Sequence, residues 1–312
     1  MTTPSSPLSS TPTLSSFATS LWSIPFDHNE TLEQARQRNI HDALLEDVGR
    51  NDWTALLVPD ALVQASLLVR ESAVLCGVDW FEGCLKKLDP QAHVTWNYLE
   101  GALMCAGSTV CSISARARAL LTAERPSLNF LQSLSSTATM TRAYVNAIAG
   151  LSPNPRGCVI LDTRKTVPGL RQAQKYAVRV GGGSNQRMAL WDGILIKENH
   201  IAAAGGIAAA LRAAAALNAG VSMQIEVESL AELEEALVAG ASNVLLDNFS
   251  PEQMVAAVDL NAGRALLEAS GGVDLEHIGA IAKTGVDRIS IGKLTKDISA
   301  VDFSLRIQEK QD

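Results

Sequence analysis

The sequence predicts an α/β protein whose second half folds as a βα barrel. After about Pro155, short apolar runs alternate with stretches that carry helix signals, and polar or charged residues follow each run. Six such runs with helices between them indicate parallel strands, because parallel strands are usually joined by a crossover helix. Closing such a sheet into a barrel removes its unpaired edges. The length of 312 residues fits two domains, or one large barrel with an appendage.

The first part of the chain predicts a tail, followed by a region of helix and strand. Thirteen of the first 16 residues are Ser, Thr or Pro. Such a segment cannot bury enough apolar surface to offset its ordering entropy, so we expect residues 1–27 to be disordered. Apolar positions at helical spacing predict a helix over Leu32–Leu45, and Val58–Val69 and Val94–Met104 can contain strands.

The elements of the predicted barrel are short and carry clear boundaries. Ser229 stands three residues before Glu232, and Ser250 stands three before Gln253, which is the spacing of a helix-capping hydroxyl and a side chain that reaches back to it. Gly240 can end the first of these helices. The predicted strands are Cys158–Leu161, Gly193–Ile196, Met223–Val227, Asn243–Leu246, Ala265–Leu267 and Arg288–Ile291.

Residues with reactive or charged side chains, and glycine turns, stand where these strands end. In a βα barrel the carboxyl ends of the strands converge on one face, so residues far apart in the sequence can line one pocket. The residues that this argument brings together are Asp162, Thr163, Arg164, Lys165, Lys197, Glu226, Asp247, Ser270, Gly271, Gly272, Gly292 and Lys293.

Basic residues are concentrated at this predicted pocket. Arg164, Lys165 and Lys197 follow strands, and Arg187 lies in the loop before the second strand. Basic residues are common on loops, but four at one mouth repel each other unless an anion compensates them. The pattern therefore predicts a substrate with several negative charges.

Acidic residues and glycine turns complete the pocket. Glu226 and Asp247 can hold a divalent cation or accept hydrogen bonds from sugar hydroxyls, and a salt bridge with the neighbouring cations is the alternative. The turns at Ser270–Gly272 and at Gly292 suit a phosphate group. From these residues alone we expect a barrel enzyme that acts on a phosphorylated, polyanionic small molecule with a divalent metal.

Composition excludes several other classes of protein. With 26 Lys and Arg against 33 Asp and Glu, the net charge of -7 argues against nucleic acid as a partner. The first basic residue is Arg36, so the start of the chain lacks the pattern of a secretory or mitochondrial leader. The Ala-rich run at Ile201–Leu217 contains Arg212 and gains too little in lipid to span a membrane. We expect a cytoplasmic protein.

The five cysteines show neither a disulfide framework nor a zinc site. Their number is odd, and none stands at CxxC or Cys/His spacing. We expect reduced, mostly buried thiols at Cys76, Cys84, Cys105, Cys111 and Cys158.

A series of ordered motifs closely resembles the quinolinate phosphoribosyltransferase family. The resemblance covers nearly the whole chain except the N-terminal tail. Its motifs are Glu46–Gly49, Glu124–Leu131, Leu161–Arg171, Lys175–Val178, Gly181–Gly183, Leu195–His200, Glu226–Glu228, Leu246–Asn248, Glu268–Gly272 and Gly285–Asp287.

The resemblance implies both an architecture and an assembly. It implies an N-terminal α/β sandwich domain at residues 28–145, joined by the returning C-terminal segment at 296–312. It further implies an incomplete βα (TIM-like) barrel as the catalytic domain at 146–295. In the family a homodimer places the N-terminal domain of one subunit over the barrel of the other, and assembly beyond the dimer is left open.

The resemblance also implies an activity. The phosphoribosyl group of phosphoribosyl pyrophosphate would be transferred to the ring nitrogen of quinolinate, with loss of pyrophosphate and carbon dioxide. The product would be nicotinate mononucleotide, which is used in NAD biosynthesis, and the cofactor would be Mg²⁺. Such a glycosyltransferase needs no nucleic acid and no membrane.

The family motifs assign roles to residues of this chain. Arg125 would reach into the partner's site, and the substrates' anionic groups would be held by Thr163, Arg164, Lys165, Arg187 and Lys197. Glu226 and Asp247 would serve the ribose and Mg²⁺, and with Lys165 they form the predicted catalytic set. The phosphate would be held by Ser270, Gly271, Gly272, Ile291, Gly292 and Lys293.

The chain departs from the family pattern near the triple glycine. Gln186 stands where the family usually has His, and Ala189 stands where Gly is usual. Gln can donate a hydrogen bond but cannot carry a positive charge, so a related transferase with a different acceptor is one alternative. A non-catalytic binding homologue is another alternative. The presence of both carboxylates and of all the named cations argues against it. His200, the one histidine within a motif, is predicted to fix its loop by a hydrogen bond.

Overall fold

The first helix shows how local sequence fixes the start of an element. The computed structural model describes residues 29–308, and the predicted tail at 1–27 lies outside them. Helix α1 (Leu32–Val48) begins at a capping box, in which the Thr31 hydroxyl accepts a hydrogen bond from the Gln34 amide at 3.2 Å. Such a box satisfies N–H groups that have no partner within the helix. The helix predicted for this segment is therefore confirmed.

An antiparallel sheet organises the N-terminal region. Its strands lie in the order β12-β1-β5-β3, and burial alternates along much of β1 because successive side chains point to opposite faces. One face packs against α2 (Val78–Leu88) and α3 (Ala117–Ile148). The strands are β1 (Leu62–Val69), β3 (His93–Trp96), β5 (Thr109–Arg116) and β12 (Phe303–Ile307). A short separate pair consists of β2 (Ala73–Val74) and β4 (Leu103–Met104).

The last described strand returns to this first sheet. β12 follows the parallel sheet in the sequence and pairs antiparallel with β1, with Leu67 opposite Leu305. The segment after the parallel sheet thereby completes the N-terminal region. The long helix α3 connects the two regions, since it contacts both β5 and the first strand of the parallel sheet.

The second half contains the six predicted strands, all parallel. Their order in the sheet is β6-β11-β10-β9-β8-β7, and every hydrogen-bonded pair is parallel. The strands are β6 (Val159–Leu161), β7 (Gly193–Ile196), β8 (Ser222–Val227), β9 (Asn243–Asp247), β10 (Leu266–Ser270) and β11 (Arg288–Ser290). The helices are α4 (Arg171–Val180), α5 (Glu198–Ala204), α6 (Ile207–Ala216), α7 (Leu230–Val238), α8 (Pro251–Asn261), α9 (Ile278–Ala282) and α10 (Lys293–Lys296).

The barrel is incomplete between β6 and β7, which are the two ends of the sheet order. The segment after α4 occupies this gap, where Ser184 forms a single parallel bridge with Leu161. The Ser184 amide donates to the Ile160 carbonyl at 2.8 Å. At this point a single bridged residue, Ser184, takes the place of a strand beside β6. The loop that carries Gln186 and Arg187 follows directly.

The predicted helix boundaries in the barrel are confirmed. Ser250 and Gln253 form a capping box at the start of α8, and the Ser229 hydroxyl accepts from the Glu232 amide at the start of α7. Gly240, with φ +87°, follows the end of α7.

No helix within residues 29–308 is long and apolar enough to cross a membrane. All five cysteines are free, and three of them are buried.

Candidate active site

A polar cavity lies at the carboxyl ends of four barrel strands, β6, β9, β10 and β11. Its volume is about 410 Å³, and Lys165, Lys293 and Lys296 give it a positive lining. Nine predicted site residues line it: Thr163, Lys165, Asp247, Ser270, Gly271, Gly272, Ile291, Gly292 and Lys293. Glycine loops and lysines around one cavity suit a phosphate group, because the backbone is accessible and the charge is complementary.

Two glycines of this cavity are required by their surroundings. Gly271 has φ +103°, and a Cβ atom there would lie 2.1 Å from Asn248 Oδ1. Asn248 itself has φ +58°, a conformation that Asn tolerates better than most residues. A Cβ atom at Gly292 would lie 3.1 Å from Lys165 Cδ, so glycine lets that lysine lie close against the loop. The loop sequences thus set the shape of the cavity.

The charge of Arg164 acts on two other arginines, Arg171 and Arg187. Burial lowers the pKa of Arg187, and the charge of Arg164 lowers it further. Burial and Arg164 likewise lower the pKa of Arg171, in the same order of importance. Within residues 29–308, none of the three forms an ion pair with a carboxylate, and Arg164 Nε is buried without a hydrogen-bond partner. The cluster of Arg164, Arg171 and Arg187 therefore lacks the negative charge that would compensate it.

Lys197 and Glu226 form an ion pair at the ends of β7 and β8. Lys197 Nζ lies 2.7 Å from Glu226 Oε2, and the Lys197 side chain remains 44% exposed whereas that of Glu226 is 9% exposed. His200 Nδ1 accepts a hydrogen bond from the Lys197 amide at 3.0 Å, as predicted for a residue that fixes its loop. The sequence left an ion pair as the alternative to metal binding at Glu226, and the structure shows this ion pair.

Asp162 is a correction to the predicted pocket. It follows β6 directly, but its side chain is 0% exposed and forms an ion pair with Lys175 of α4, which is also 0% exposed. Side chains alternate along a strand, so Asp162 points with Ile160 towards the helices while Thr163 points into the cavity. Asp162 therefore does not touch a ligand in that cavity.

Gln186 and Arg187 also lie outside the carboxyl-end cavity. They line a second cavity of about 340 Å³ that includes the first residues of five strands and so reaches the amino end of the barrel. Gln186 Nε2 donates to Gln224 Oε1 at 2.9 Å, and Gln224 Nε2 donates to Glu268 Oε2 at 2.9 Å. Glu268 Oε1 is buried without a partner, and burial raises the pKa of this carboxyl.

The acidic residues fit a magnesium ion only together with a substrate. No group of three or more His, Cys, Asp or Glu within residues 29–308 is arranged to hold a metal. Mg²⁺ is typically bound by one or two carboxylates and by substrate phosphates, with several waters retained. Asp247 lies in the 410 Å³ cavity with the Asn248 side-chain amide beside it, and it offers oxygen ligands of this kind. The donor set therefore fits a metal that arrives with its phosphate substrate.

Arg125 lies apart from all of these residues. It is exposed on α3, and it lines neither the 410 Å³ cavity nor the 340 Å³ cavity of its own chain. Its neighbours in sequence are partly or fully buried, so the side chain projects from the surface of the N-terminal region.

Comparison with known proteins decides the family. Residues 52–135 match the family description "Quinolinate phosphoribosyl transferase, N-terminal domain", and residues 137–306 match the corresponding C-terminal domain. The chain belongs to the quinolinate phosphoribosyltransferase family. Both halves of the chain are covered, in the order that the resemblance implied.

Individual proteins of the quinolinate phosphoribosyltransferase family are similar to this chain over most of its length. The nicotinate-nucleotide pyrophosphorylase [carboxylating] of Mycobacterium leprae is 41% identical, over 87% of this chain and 96% of that protein. A probable enzyme of the same name from Bacillus subtilis is 36% identical, over 84% and 90%. The solved structure of the nicotinate-nucleotide pyrophosphorylase from Francisella tularensis matches with a TM-score of 0.85 and 42% identity, covering 90% of this chain and 100% of that one.

Sequence reasoning missed three residues at the site of this family member. Arg171 belongs to the arginine cluster, and its position at the first turn of α4, close to the end of β6, was a usable signal. Lys296 lines the 410 Å³ cavity one helical turn after Lys293. Asn248 directly follows Asp247, and its contact with Gly271 becomes visible only when the β9 and β10 loops are brought together.

Proposed function

We propose that this protein transfers the phosphoribosyl group of phosphoribosyl pyrophosphate to quinolinate, with decarboxylation, to give nicotinate mononucleotide for NAD biosynthesis. Family membership and the names of the relatives support this reaction. The structural observation that carries it is Arg164, which has a buried donor without a partner and stands between Thr163 and Lys165, two residues that line the lysine-rich 410 Å³ cavity.

The arginine cluster suits an acceptor with two carboxylates. A planar guanidinium can bind a carboxylate through two parallel hydrogen bonds, which fixes orientation as well as position. Arg164 has an unsatisfied buried donor, and its charge reaches both Arg171 and Arg187. A dianion bound here would compensate the cluster and hold its ring nitrogen in place. Positioning of this kind supplies a large part of the rate enhancement.

The reaction needs bonds to be broken at two carbons. The ring nitrogen forms a bond to the anomeric carbon, and the bond from that carbon to the pyrophosphate oxygen breaks with its electron pair leaving on pyrophosphate. The sugar becomes oxocarbenium-like, so a carboxylate such as Glu226 or Asp247 stabilises it, while Lys165 and Lys197 stabilise the departing negative charge. The nitrogen is then cationic and accepts the electron pair of the adjacent carboxylate bond as carbon dioxide leaves, after which that ring carbon takes a proton from water.

Asp247 and Glu226 are proposed to hold Mg²⁺ together with the substrate's phosphate oxygens. When bound, the ion neutralises charge on the pyrophosphate. The protein's own part is to present carboxylate oxygens at the ends of neighbouring strands, β8 and β9.

The proposed assembly is a homodimer in which Arg125 completes the partner's site. Its exposure on α3, away from the cavities of its own chain, supports a role in trans. We also propose a cytoplasmic location, which the five free cysteines support because thiols persist in a reducing compartment.

Turnover of the purified protein with quinolinate, phosphoribosyl pyrophosphate and Mg²⁺ tests the reaction, with nicotinate mononucleotide followed by chromatography. We expect product from the wild type and a loss of about a hundredfold or more in Arg164→Ala and Lys165→Ala. Arg212→Ala, which removes an exposed arginine on α6, is the matched control and keeps wild-type activity.

A Gln186→His variant separates the alternatives. Product only from this variant would mean that the acceptor of the wild type is a different molecule. No product from either protein, or full activity in Arg164→Ala, would refute the proposed reaction or its assigned site. Calorimetry with each substrate alone then shows which of the two fails to bind.

A further inference from the structure

The loop that carries Arg187 is held by an unusual set of contacts. After Ser184 it forms no further backbone bridge with β6. Instead, the Gln186 amide donates to Asp162 Oδ1 at 3.0 Å, and the Gln186 carbonyl accepts from Lys175 Nζ at 2.8 Å. Both backbone groups of Gln186 are therefore bound by the two members of one ion pair. Arg187 follows directly after this attachment, and its guanidinium also donates to the Gly193 carbonyl at 2.8 Å.

Asp162 makes further contacts with the same loop. Asn185 Nδ2 donates to Asp162 Oδ2 at 2.5 Å and to the Lys175 carbonyl at 2.9 Å. Lys175 Nζ also donates directly to Asp162 Oδ1. The two charges and two loop residues thus form one closed network behind β6, with nearly all hydrogen-bonding positions of the carboxylate used.

Stability alone is a weak reason for such a pair. Both side chains are 0% exposed, so each charge has been removed from water. Burial raises the pKa of Asp162 and lowers that of Lys175, while their attraction opposes both shifts. Apolar side chains of similar volume often replace buried ion pairs without loss of stability, but they could not bind the N–H and C=O of Gln186. What the pair contributes specifically is the position of the loop.

The position of the loop matters because it sets how close the charge of Arg187 lies to the charge of Arg164. Asp162 directly precedes Thr163, Arg164 and Lys165, so the pair ties the end of β6 to the loop that bears Arg187. Arg164 and Arg187 carry like charges, and the charge of Arg164 adds to burial in lowering the pKa of Arg187. Without an anchor, the loop would relieve this repulsion by moving Arg187 away whenever no anion is bound.

We infer that the buried Asp162–Lys175 pair is a positioning device for acceptor binding, which holds the Gln186 backbone so that Arg187 stays within reach of the anion bound by Arg164. This inference rests on the proposed function. Asp162 and Lys175 touch no substrate in it. They act through the loop, so their loss should weaken acceptor binding more than donor binding.

The test uses the double variant Asp162→Asn/Lys175→Met, which removes both charges without leaving either unpaired. We expect the KM for quinolinate to rise about tenfold or more while the KM for phosphoribosyl pyrophosphate stays within about twofold. Asn185→Ala, which keeps the ion pair and removes one anchor, should raise the acceptor KM by a smaller factor. The control is Arg156→Met, which breaks the 2.7 Å ion pair with Asp287; neither residue lines the 410 Å³ or the 340 Å³ cavity, so neither KM should change.

Hydrogen exchange supplies a readout that does not depend on turnover. In the double variant, the amides of residues 184–188 should exchange about tenfold faster or more, with the rest of the barrel unchanged. Unchanged exchange in this loop overturns the inference, as do equal increases in both KM values. If the wild type shows no turnover with quinolinate, the proposed function fails, and the exchange result alone decides whether the pair positions the loop.

Discussion

Two lysine–carboxylate pairs in the same barrel differ sharply in their surroundings. Lys175 and Asp162 lie between β6 and α4 and are both 0% exposed. Lys197 and Glu226 lie at the ends of β7 and β8, where the lysine is 44% exposed. The first pair is closed off from water by α4, whereas the second opens onto the region where substrates are proposed to bind.

The difference in exposure separates a fixed pair from an exchangeable one. A fully buried charge cannot lose its partner without a large desolvation penalty, so Lys175 and Asp162 stay together whatever is bound. Lys197 can turn towards an anionic substrate because water already solvates its ammonium group in part. Such an exchange would also release Glu226 to contact the ribose. One pair therefore sets geometry, and the other is available for chemistry.

Glu268 adds a third arrangement, a buried carboxyl with no lysine. It is 1% exposed, and its Oε2 accepts from the side-chain amide of Gln224. Burial raises its pKa most strongly. Protonation lowers the cost of burying this carboxyl, whereas Asp162 and Glu226 each have a lysine as an ion-pair partner.

The largest expected effect comes from breaking the fixed pair on one side. Lys175→Met leaves Asp162 buried without its cation and removes the donor to the Gln186 carbonyl. We expect the free energy of unfolding in denaturant titrations to fall by about 3–5 kcal/mol. The Asp162→Asn/Lys175→Met double variant should recover most of that loss. A single variant as stable as the wild type would mean that Asp162 and Lys175 are both uncharged in the folded protein.

A smaller effect on stability is expected from the exchangeable pair. Lys197→Met should lower the free energy of unfolding by about 1 kcal/mol or less, since the lysine is nearly half exposed. Turnover should nevertheless fall by about a hundredfold, because a cation that faces the leaving group is lost. Lys283→Met, at an exposed lysine on the far side of the barrel, is the control. A stability loss equal to that of Lys175→Met would contradict the comparison.

The smallest effect concerns the proton on Glu268. Its pKa is raised in the folded protein, so the folded state holds more protons than the unfolded state between the ordinary value of 4.5 and the raised one. Stability should therefore fall as pH rises through this interval, and Glu268→Gln should remove that part of the pH dependence. Unfolding free energies of both proteins from pH 4 to pH 8 would show it. Parallel curves would indicate that Glu268 is charged when folded.

The barrel strands were predictable because each is a short apolar run between strong helix signals. Glycine loops and cations after those strands predicted residues that the structure brings together around one cavity. The place of Asp162 could have been inferred from alternation, since Thr163 and Asp162 must face opposite sides of the strand. Its partner Lys175 could not, because nothing in α4 distinguishes a buried lysine from an exposed one until the helix is packed.

Other features depend on contacts between distant segments. The sheet is open between β6 and β7, and Ser184 forms a bridge in this gap. Both features follow from packing, because the loop contains no apolar run that would have predicted them. The link between Gln186, Gln224 and Glu268 joins three separate elements. Arg125 carries no local signal at all, and its proposed role rests on the family resemblance and its exposure.

The strand β12 has a consequence for how the protein is made. β1 lies between β5 and β12, yet among the strands of residues 29–308 β12 is the last to leave the ribosome. Until it emerges, one edge of β1 presents free N–H and C=O groups that invite pairing with another nascent chain. The N-terminal sheet is thus completed only after the whole barrel has been synthesised. A chain that stops before Phe303 would keep a strand edge with unpaired backbone groups, which can pair with another chain.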